Sequence, residues 1–384
     1  MLKYAIKMLV GEKLKYYGII LALSFGSFII IQQAAIFIGL MSRTYSFIGD
    51  TSQGDIWVTD PKVELVEDAQ PLKDTDLFRV KSVDGVSWAV PLFRGKIKAR
   101  LRNGEFTNCT LIGLDDSTLI GGPPGFVQGS ILDLKKPDAV IISQEGIEGQ
   151  LAITTVEGEK EYLRLGDAFE LNDRRAVLEG VCKITRVFLT QPVIYTTYSR
   201  AITYTPPERK LLSFILVKAK KGENLQQLCQ KIQRQTGLAA YVERDFENMT
   251  LYYYLNNTGI PLNFGIAVLL GFIIGTAISG QTFYNFILDN VRYLAVFKAL
   301  GASNRLLIKM TLLQIAWVGM IGWGLGVGSA SLFGFVFCGT DLSFMFPWQL
   351  FYLSAFAVFF ICALSSIISL RKIMTIDPVL VFKS

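Results

Sequence analysis

Apolar positions are not spread evenly along this chain. They collect in four long runs that carry no charged residue: Tyr16–Met41, Gly259–Leu288, Thr311–Thr340 and Leu342–Leu370. Each exceeds the roughly 20 residues a helix needs to cross about 30 Å of hydrocarbon. Lipid offers the backbone no hydrogen-bond partners, so each run is expected to be helical. Ahead of the first run, Leu2, Ile6, Leu9, Val10 and Leu14 fall on one helical face that Lys3, Lys7 and Lys13 avoid, the pattern of a basic amphipathic helix lying on the inner leaflet. The segment between runs one and two has a different texture. Short β-prone runs separated by turn residues predict strands at Asp55–Thr59, Gly95–Leu101, Thr107–Leu114, Ala139–Ser143, Val181–Phe188 and Phe214–Lys218, and Gly121–Gly125 reads as a loop. One helix is marked there: Asn224 as its cap with Gln227 three residues on, Leu225, Leu228 and Ile232 on one face, and Gly237 as its stop. With a strand near Ala239–Val242 it completes a β-α-β unit, so two subdomains are expected, a β-rich core and a smaller α/β lobe that includes Leu211–Asp245.

The fold class expected is therefore a membrane protein of four transmembrane α-helices with a large mixed α/β extracytoplasmic domain inserted between helix 1 and helix 2. The divisions are an interfacial helix over 1–15, membrane helices over 16–41, 259–288, 310–340 and 341–370, a periplasmic domain over 42–258, a cytoplasmic hairpin over 289–309 and a cytoplasmic tail over 371–384. The first run is too long and lacks the small-residue cleavage site of a signal peptide, so it is expected to stay as an anchor.

Charge sets the orientation. The net charge is +6, yet the inserted segment from Ser42 to Thr258 is nearly neutral, with 27 Lys+Arg against 28 Asp+Glu. The excess lies before run one (Lys3, Lys7, Lys13, Lys15 against Glu12), between runs two and three (Arg292, Lys298, Arg305, Lys309 against Asp289) and after run four (Arg371, Lys372, Lys383 against Asp377). The positive-inside rule places those three segments in the cytoplasm, both termini with them, in an inner (plasma) membrane. A nucleic-acid binder would need a basic inserted domain.

Candidate chemistry is sparse. Histidine is absent, which removes the Ser-His-Asp triad and most zinc sites. The five cysteines, Cys109, Cys182, Cys229, Cys338 and Cys362, show no metal spacing and read as small buried hydrophobes. No G-x-x-x-x-G-K-[ST] loop occurs; Gly95-Lys96-Ile97 comes nearest and lacks both the upstream glycine and the hydroxyl. No catalytic residue, metal ligand or cofactor site is expected. The runs hold no ionisable residue, against the pattern of ion-coupled carriers and intramembrane proteases. They do hold G-x-x-x-G pairs, Gly322/Gly326 and Gly324/Gly328 in the third and Gly271/Gly275 in the second, besides the looser pair Ala22/Gly26 in the first. Small residues let helix backbones approach closely, either within one bundle or between two copies; for the third run an interface is expected.

Between runs two and three, Gln281–Leu300 contains no glycine or proline and reads as a helical continuation of the second span, with Val291, Leu294, Ala295 and Lys298 on one face. Gly301 is the expected stop and Ser303 the cap of the next helix. A hairpin with so firm a corner is a lever a partner can grip. Arg292 and Lys298 would meet acidic groups there, and Leu294, Ala295 and Ala299 would offer small apolar surface.

The stretch Arg292-Tyr293-Leu294-Ala295-Val296-Phe297-Lys298-Ala299-Leu300-Gly301-Ala302-Ser303 resembles the R-E-x-x-x-L-[KR]-A-[LI]-G-A-[ST] signature of FtsX/MacB-type ABC transporter permeases. Tyr293 stands where most members have Glu and Ala295 where many have Gly, and the Tyr variant is similar to the DevC branch. The ending Arg371–Phe382 also resembles that branch, and Val83–Val86, Leu111–Asp115 and Leu165–Asp167 resemble landmarks of the family's outer domain. The resemblance implies a non-catalytic permease subunit acting as a homodimer. ATP and Mg would be used by a separate cytosolic ABC ATPase that binds Asp289, Arg292, Tyr293, Leu294, Ala295, Lys298, Ala299, Gly301 and Ala302. It also implies a periplasmic membrane-fusion protein, an outer-membrane channel, and export of a lipid, glycolipid or other amphiphile by mechanotransmission. The alternative it leaves is a non-transporting FtsX-like regulator of a cell-wall hydrolase.

Overall fold

The structure, a computed structural model, describes residues 2–51, 53–154, 159–206, 212–337 and 340–374, with side chains undescribed at 2–6, 154 and 368–374. In chain order the elements are α1 (Leu2–Gly11), α2 (Lys13–Thr44), α3 (Ser46–Asp50), β1 (Ile56–Thr59), α4 (Asp74–Lys81), β2 (Val86–Arg100), β3 (Phe106–Leu114), β4 (Gly125–Gln128), β5 (Ala139–Ser143), α5 (Gln144–Glu148), β6 (Ile153–Thr154), β7 (Lys160–Glu161), β8 (Ala168–Leu171), β9 (Arg174–Lys183) and β10 (Val193–Thr197). There follow α6 (Tyr198–Tyr204), β11 (Phe214–Ala219), α7 (Leu225–Thr236), β12 (Ala239–Val242), α8 (Glu243–Asn257), α9 (Ile260–Asp289), α10 (Val291–Ala299), α11 (Asn304–Val336) and α12 (Trp348–Met374). The chain divides into two units: Met1–Leu40 with Gly259–Ser384, and Met41–Thr258.

In the first unit, α2, α9, α11 and α12 are each long and apolar enough to cross a membrane. Large apolar side chains stay exposed along them, among them Leu21, Leu262, Met320, Phe335 and Phe359, as expected of helices whose solvent is lipid. Their shared interior is built from Ile19, Leu23, Phe283, Phe286, Leu307, Val318 and Ile361. The fourth helix begins at Trp348, not in the 341–347 stretch. Residues 343–346 instead lie non-helical beside the first span, where Met345 donates its N–H to Ala35 O (3.1 Å). The amphipathic segment divides at Glu12: α1 ends at Gly11, and Leu14, which was expected on the α1 face, belongs to α2 and is 92% exposed. Leu9 turns into protein rather than lipid, fully buried in the cluster that holds Leu294 and Ala295. Cys338 and residues 375–384, most of the expected tail, lie outside the described residues.

The second unit is built on one ten-stranded sheet with the path β12-β1-β11-β2-β3-β10-β5-β9-β4, and β8 pairs with both β2 and β9. That double pairing closes β2, β3, β10, β5, β9 and β8 into a small barrel around Ile97, Leu111, Val140, Ile142 and Leu178. β12, β1, β11 and the first half of β2 form an open antiparallel wing. Its one face packs on α4 and α7 through Ile56, Val58, Val80, Leu228 and Ile232, and its other carries Trp57, Leu92, Phe214 and Phe246. The two expected lobes therefore share strand β2. The β-α-β unit is present as β11-α7-β12, with β1 between the two strands and antiparallel to both. Asn224 caps α7 by accepting from Gln226 N and Gln227 N, and Gly237 ends it at φ +74. The strand expected at Val181–Phe188 lies earlier, at Arg174–Lys183, where Ala176, Leu178, Gly180 and Cys182 alternate inward. Two of the three outer landmarks are turns, where Gly85 and Gly166 take φ values of +102 and +88; the third, Leu111–Asp115, is the end of β3, with Asp115 accepting from Ser117 and Thr118 just past it.

Candidate functional site

The hairpin between the second and third spans is where sequence chemistry concentrates, and its backbone is more jointed than the absence of Gly and Pro suggests. Gln281–Leu300 is not one helix. α9 stops at Asp289, Asn290 sits at φ −97, ψ 9, and α10 starts at Val291. The cause is the Asn290 side chain, 3% exposed, whose Nδ2 donates to Phe286 O (2.9 Å) and to Glu12 Oε1 (2.5 Å). An asparagine that bonds to the preceding turn competes with the backbone ladder, and here the Glu12 carboxylate holds it at the break. Lys15 pairs with Glu12 at 2.9 Å and with Asp289. The turn between α1 and α2 is thus tied to the corner between α9 and α10. A hydrogen bond to a charged acceptor contributes about 1.5–3 kcal/mol when shielded, whereas the Lys15 pairs, half-exposed at Asp289, add at most about 1 kcal/mol.

The far end of α10 is closed tightly. Gly301, at φ +93, donates to Lys298 O (3.1 Å), and Ala302 N–H reaches Phe297 O (2.9 Å). This pair of bonds is the Schellman arrangement, which needs the left-handed residue that glycine supplies. Ser303 then accepts from Leu306 N to start α11. Expected and observed agree at this corner.

The faces of α10 correct one expectation. Leu294 and Ala295 are 3% and 0% exposed and belong to the membrane unit's own core, so they offer no surface. Their spacing marks the buried stripe of a short amphipathic helix. The outward face carries Arg292, Tyr293 (64% exposed), Val296, Ala299 and Leu300 (79% exposed), while Lys298 is half-buried.

The glycine pairs sort by face. A Cβ on Gly322 would stand 2.6 Å from Leu23 Cβ, and one on Gly326 would stand 2.5 Å from Ser27 Cβ. Gly271 would meet Ile29 at 2.8 Å, and Gly275 lies against Gly26. Those four glycines seat α11 and α9 on α2 of the same chain, so the Gly322/Gly326 pair serves packing within one bundle, because close approach to α2 leaves no room for a second copy. Gly324 and Gly328 have open space around them. Sequence reasoning missed Glu12, Lys15 and Asn290. The one signal available was Glu12 itself, the single acid among the basic residues that precede the first span.

Comparison with curated proteins finds no match. Among solved structures, the chain is similar to the extracellular domain of the noncanonic ABC-type transporter YknZ from Gram-positive bacteria: 19% identity, 49% of this chain and 98% of that one, TM-score 0.34. It is similar to the periplasmic region of MacB from Actinobacillus actinomycetemcomitans at 14% identity, 52% of this chain and 94% of that one, TM-score 0.38. A domain of a putative permease from Porphyromonas gingivalis matches at 14% identity, over 49% and 88% of the two chains, TM-score 0.32. Residues 265–378, from α9 through the hairpin and α11 into the segment after α12, match the FtsX-like permease C-terminal family.

Proposed function

We propose that this chain is the membrane-spanning permease subunit of a MacB/DevC-like ABC exporter. It sits in an inner membrane with both termini and the hairpin in the cytoplasm and the inserted domain outside, and it works as a homodimer. A separate cytosolic ATPase, using ATP and Mg, grips the outward face of α10. The observation that carries this reading is the FtsX-like match over residues 265–378, with the exposed Tyr293 and Leu300 held on a short helix between a braced kink and a Schellman stop. Exposed apolar residues on a rigid element are what a partner groove recognises. In this scheme the ATPases close on ATP and displace α10. The tie from Asn290 to Glu12 carries the displacement to the start of α2, and α2 and α9 carry it outward. The cargo proposed is a lipid, glycolipid or other amphiphile, delivered through a membrane-fusion protein and an outer-membrane channel.

The test is co-expression with candidate cytosolic ABC ATPases from the same genome. The full chain should stimulate ATP hydrolysis and retain the ATPase on purification. Ala299→Arg and Leu300→Glu should each abolish retention, with the chain still inserted and its thermal midpoint unchanged. ATPase retention by both variants would refute the α10 contact.

A further inference from the structure

The inserted domain has a gap in its sheet. Along one edge of β2, β11 pairs as far as Leu92, and β8 takes up the same edge again at Ala99. Between them, Arg94 turns its N–H and C=O to the hydroxyl of Ser213 (2.9 and 3.0 Å), and Lys98 N–H is met by Asn172 Oδ1 (3.1 Å). Lys96 lies midway. Its partner across the other edge is Thr110, and Thr110 sends its own N–H away to Pro192 O (2.9 Å). Lys96 and Thr110 are therefore a non-hydrogen-bonded pair, so the Lys96 backbone N–H and C=O point into the gap.

A cavity of 500 Å³ occupies that gap. This lies within the range of small-molecule sites, about 300–1,000 Å³. Strand alternation brings Phe93 and Gly95 to it from one sheet face and Arg94 and Lys96 from the other. The Phe93 ring lies over Gly95, where a Cβ would stand 2.7 Å from the ring. Leu189 and Leu212 extend the apolar wall. The Arg94 guanidinium is the unusual group. Its Nη1 donates to Val66 O (2.7 Å), its Cζ sits 5.1 Å from the Phe47 ring centroid, and its enclosed Nε has no partner. Among the described residues no carboxylate lies within ion-pair distance of it. Glu67 also lines the cavity but already accepts from the Tyr254 hydroxyl, and Asp68 accepts from Gln70 (3.4 Å). Burial pushes the Arg94 pKa below its ordinary value, opposed by Glu67. A shielded guanidinium without an ion pair is costly unless an anion completes it.

We propose that this gap is a binding site for a small amphipathic anion, whose carboxylate or phosphate is held by Arg94 and the Lys96 backbone N–H and whose apolar body lies along Phe93, Leu189 and Leu212. The site belongs to the inserted domain alone and stands whether or not α10 binds an ATPase. Native mass spectrometry of the purified full chain tests it with four eight-carbon probes: octanoate, octyl phosphate, octanol and octylammonium. One equivalent of octanoate, octyl phosphate or both should bind, and the two anions' relative affinity tells a carboxylate site from a phosphate site. Octanol and octylammonium should bind at least about ten-fold more weakly, the discrimination a charge-assisted hydrogen bond gives. Arg94→Gln should weaken the anion by the same factor. Leu189→Glu, at a position 39% exposed and so tolerant of change, should repel it with the fold intact. Octanol or octylammonium binding as tightly as the anions, anion binding unchanged in both variants, or binding of none of the four would each overturn the proposal.

Discussion

Gly326→Ala offers the sharpest test of how the membrane unit is packed. The added Cβ would lie 2.5 Å from both Cβ and Oγ of Ser27 and 3.0 Å from the Ser24 backbone oxygen. Optimal carbon contacts fall at about 3.5–4.0 Å, so α2 and α11 must part locally by about 1 Å. Turning the Ser27 hydroxyl away does not help, because its Cβ is itself in the way. Overpacking of this kind costs roughly 1–3 kcal/mol, against which alanine recovers up to about 1 kcal/mol of helix propensity over glycine. A net loss of about 1–2 kcal/mol follows. Gly324→Ala and Gly328→Ala carry the same propensity gain and meet nothing within 4 Å, so they should be neutral or slightly stabilising. The assay is thermal unfolding of the detergent-solubilised chain, followed by size-exclusion recovery after heating. With a soluble-protein conversion of roughly 2–4 °C per kcal/mol, Gly326→Ala should fall by a few degrees while the other two hold or rise. Equal shifts at positions 324 and 326, or a gain at 326, would refute the packing.

Three further outcomes are expected. For topology, Phe106→Cys, at a position 63% exposed, should react with an impermeant maleimide in intact cells and Ser303→Cys only after the membrane is opened; the reverse pattern would invert the orientation. Burial pushes the Cys109 and Cys182 thiols up to about 12 and Cys229 up to about 11, and since the thiolate forms only as pH rises through these values, the inserted domain's own cysteines should stay unmodified by iodoacetamide at pH 8 until it is denatured. Asn290→Ala removes the amide that joins the hairpin corner to Glu12, so it should lower stability by about 1.5–3 kcal/mol and sever ATP hydrolysis from export; normal transport by this variant would show that the tie carries no force.

What could be read along the chain was whatever is local. The four spans, the α7 cap and the Gly301 stop each depend on residues within a few positions of one another. What could not be read depends on distant partners. Asn290 sits inside a helical pattern, and the carboxylate that holds its side chain at the break is 278 positions away. The first half of β2 was hidden by Pro91, a residue that usually argues against a central strand, although it pairs with Ile215 in the open wing. β9 opens with two exposed arginines, Arg174 and Arg175, and its inward alternation from Ala176 starts only behind them. The glycine pairs show the same limit. Gly322/Gly326 and Gly324/Gly328 have identical spacing but are offset by two residues, about 200° around a helix. Spacing alone cannot say which pair faces α2.

The jointed hairpin changes what a lever would have to be. A straight extension of the second span would pass force along α9 alone, and any bend at Asn290 would dissipate it. With α10 a separate short helix, its buried stripe of Leu294 and Ala295 shares one core with Leu9, Phe286, Ile287 and Leu307. Displacing α10 therefore disturbs α1, α9 and α11 together, because close-packed interiors pass displacement on rather than absorb it. The Asn290–Glu12–Lys15 tie adds a polar link at the junction of α1 with the first span, and the glycine seats keep α9 and α11 pressed directly against that span. On the proposed reading, α2 is the element that force reaches first, and the inserted domain follows it in the chain. The rigidity needed for coupling then resides in how these helices pack around α2, and the corner needs only to hold α10's shape, which the Schellman stop and the Ser303 cap do.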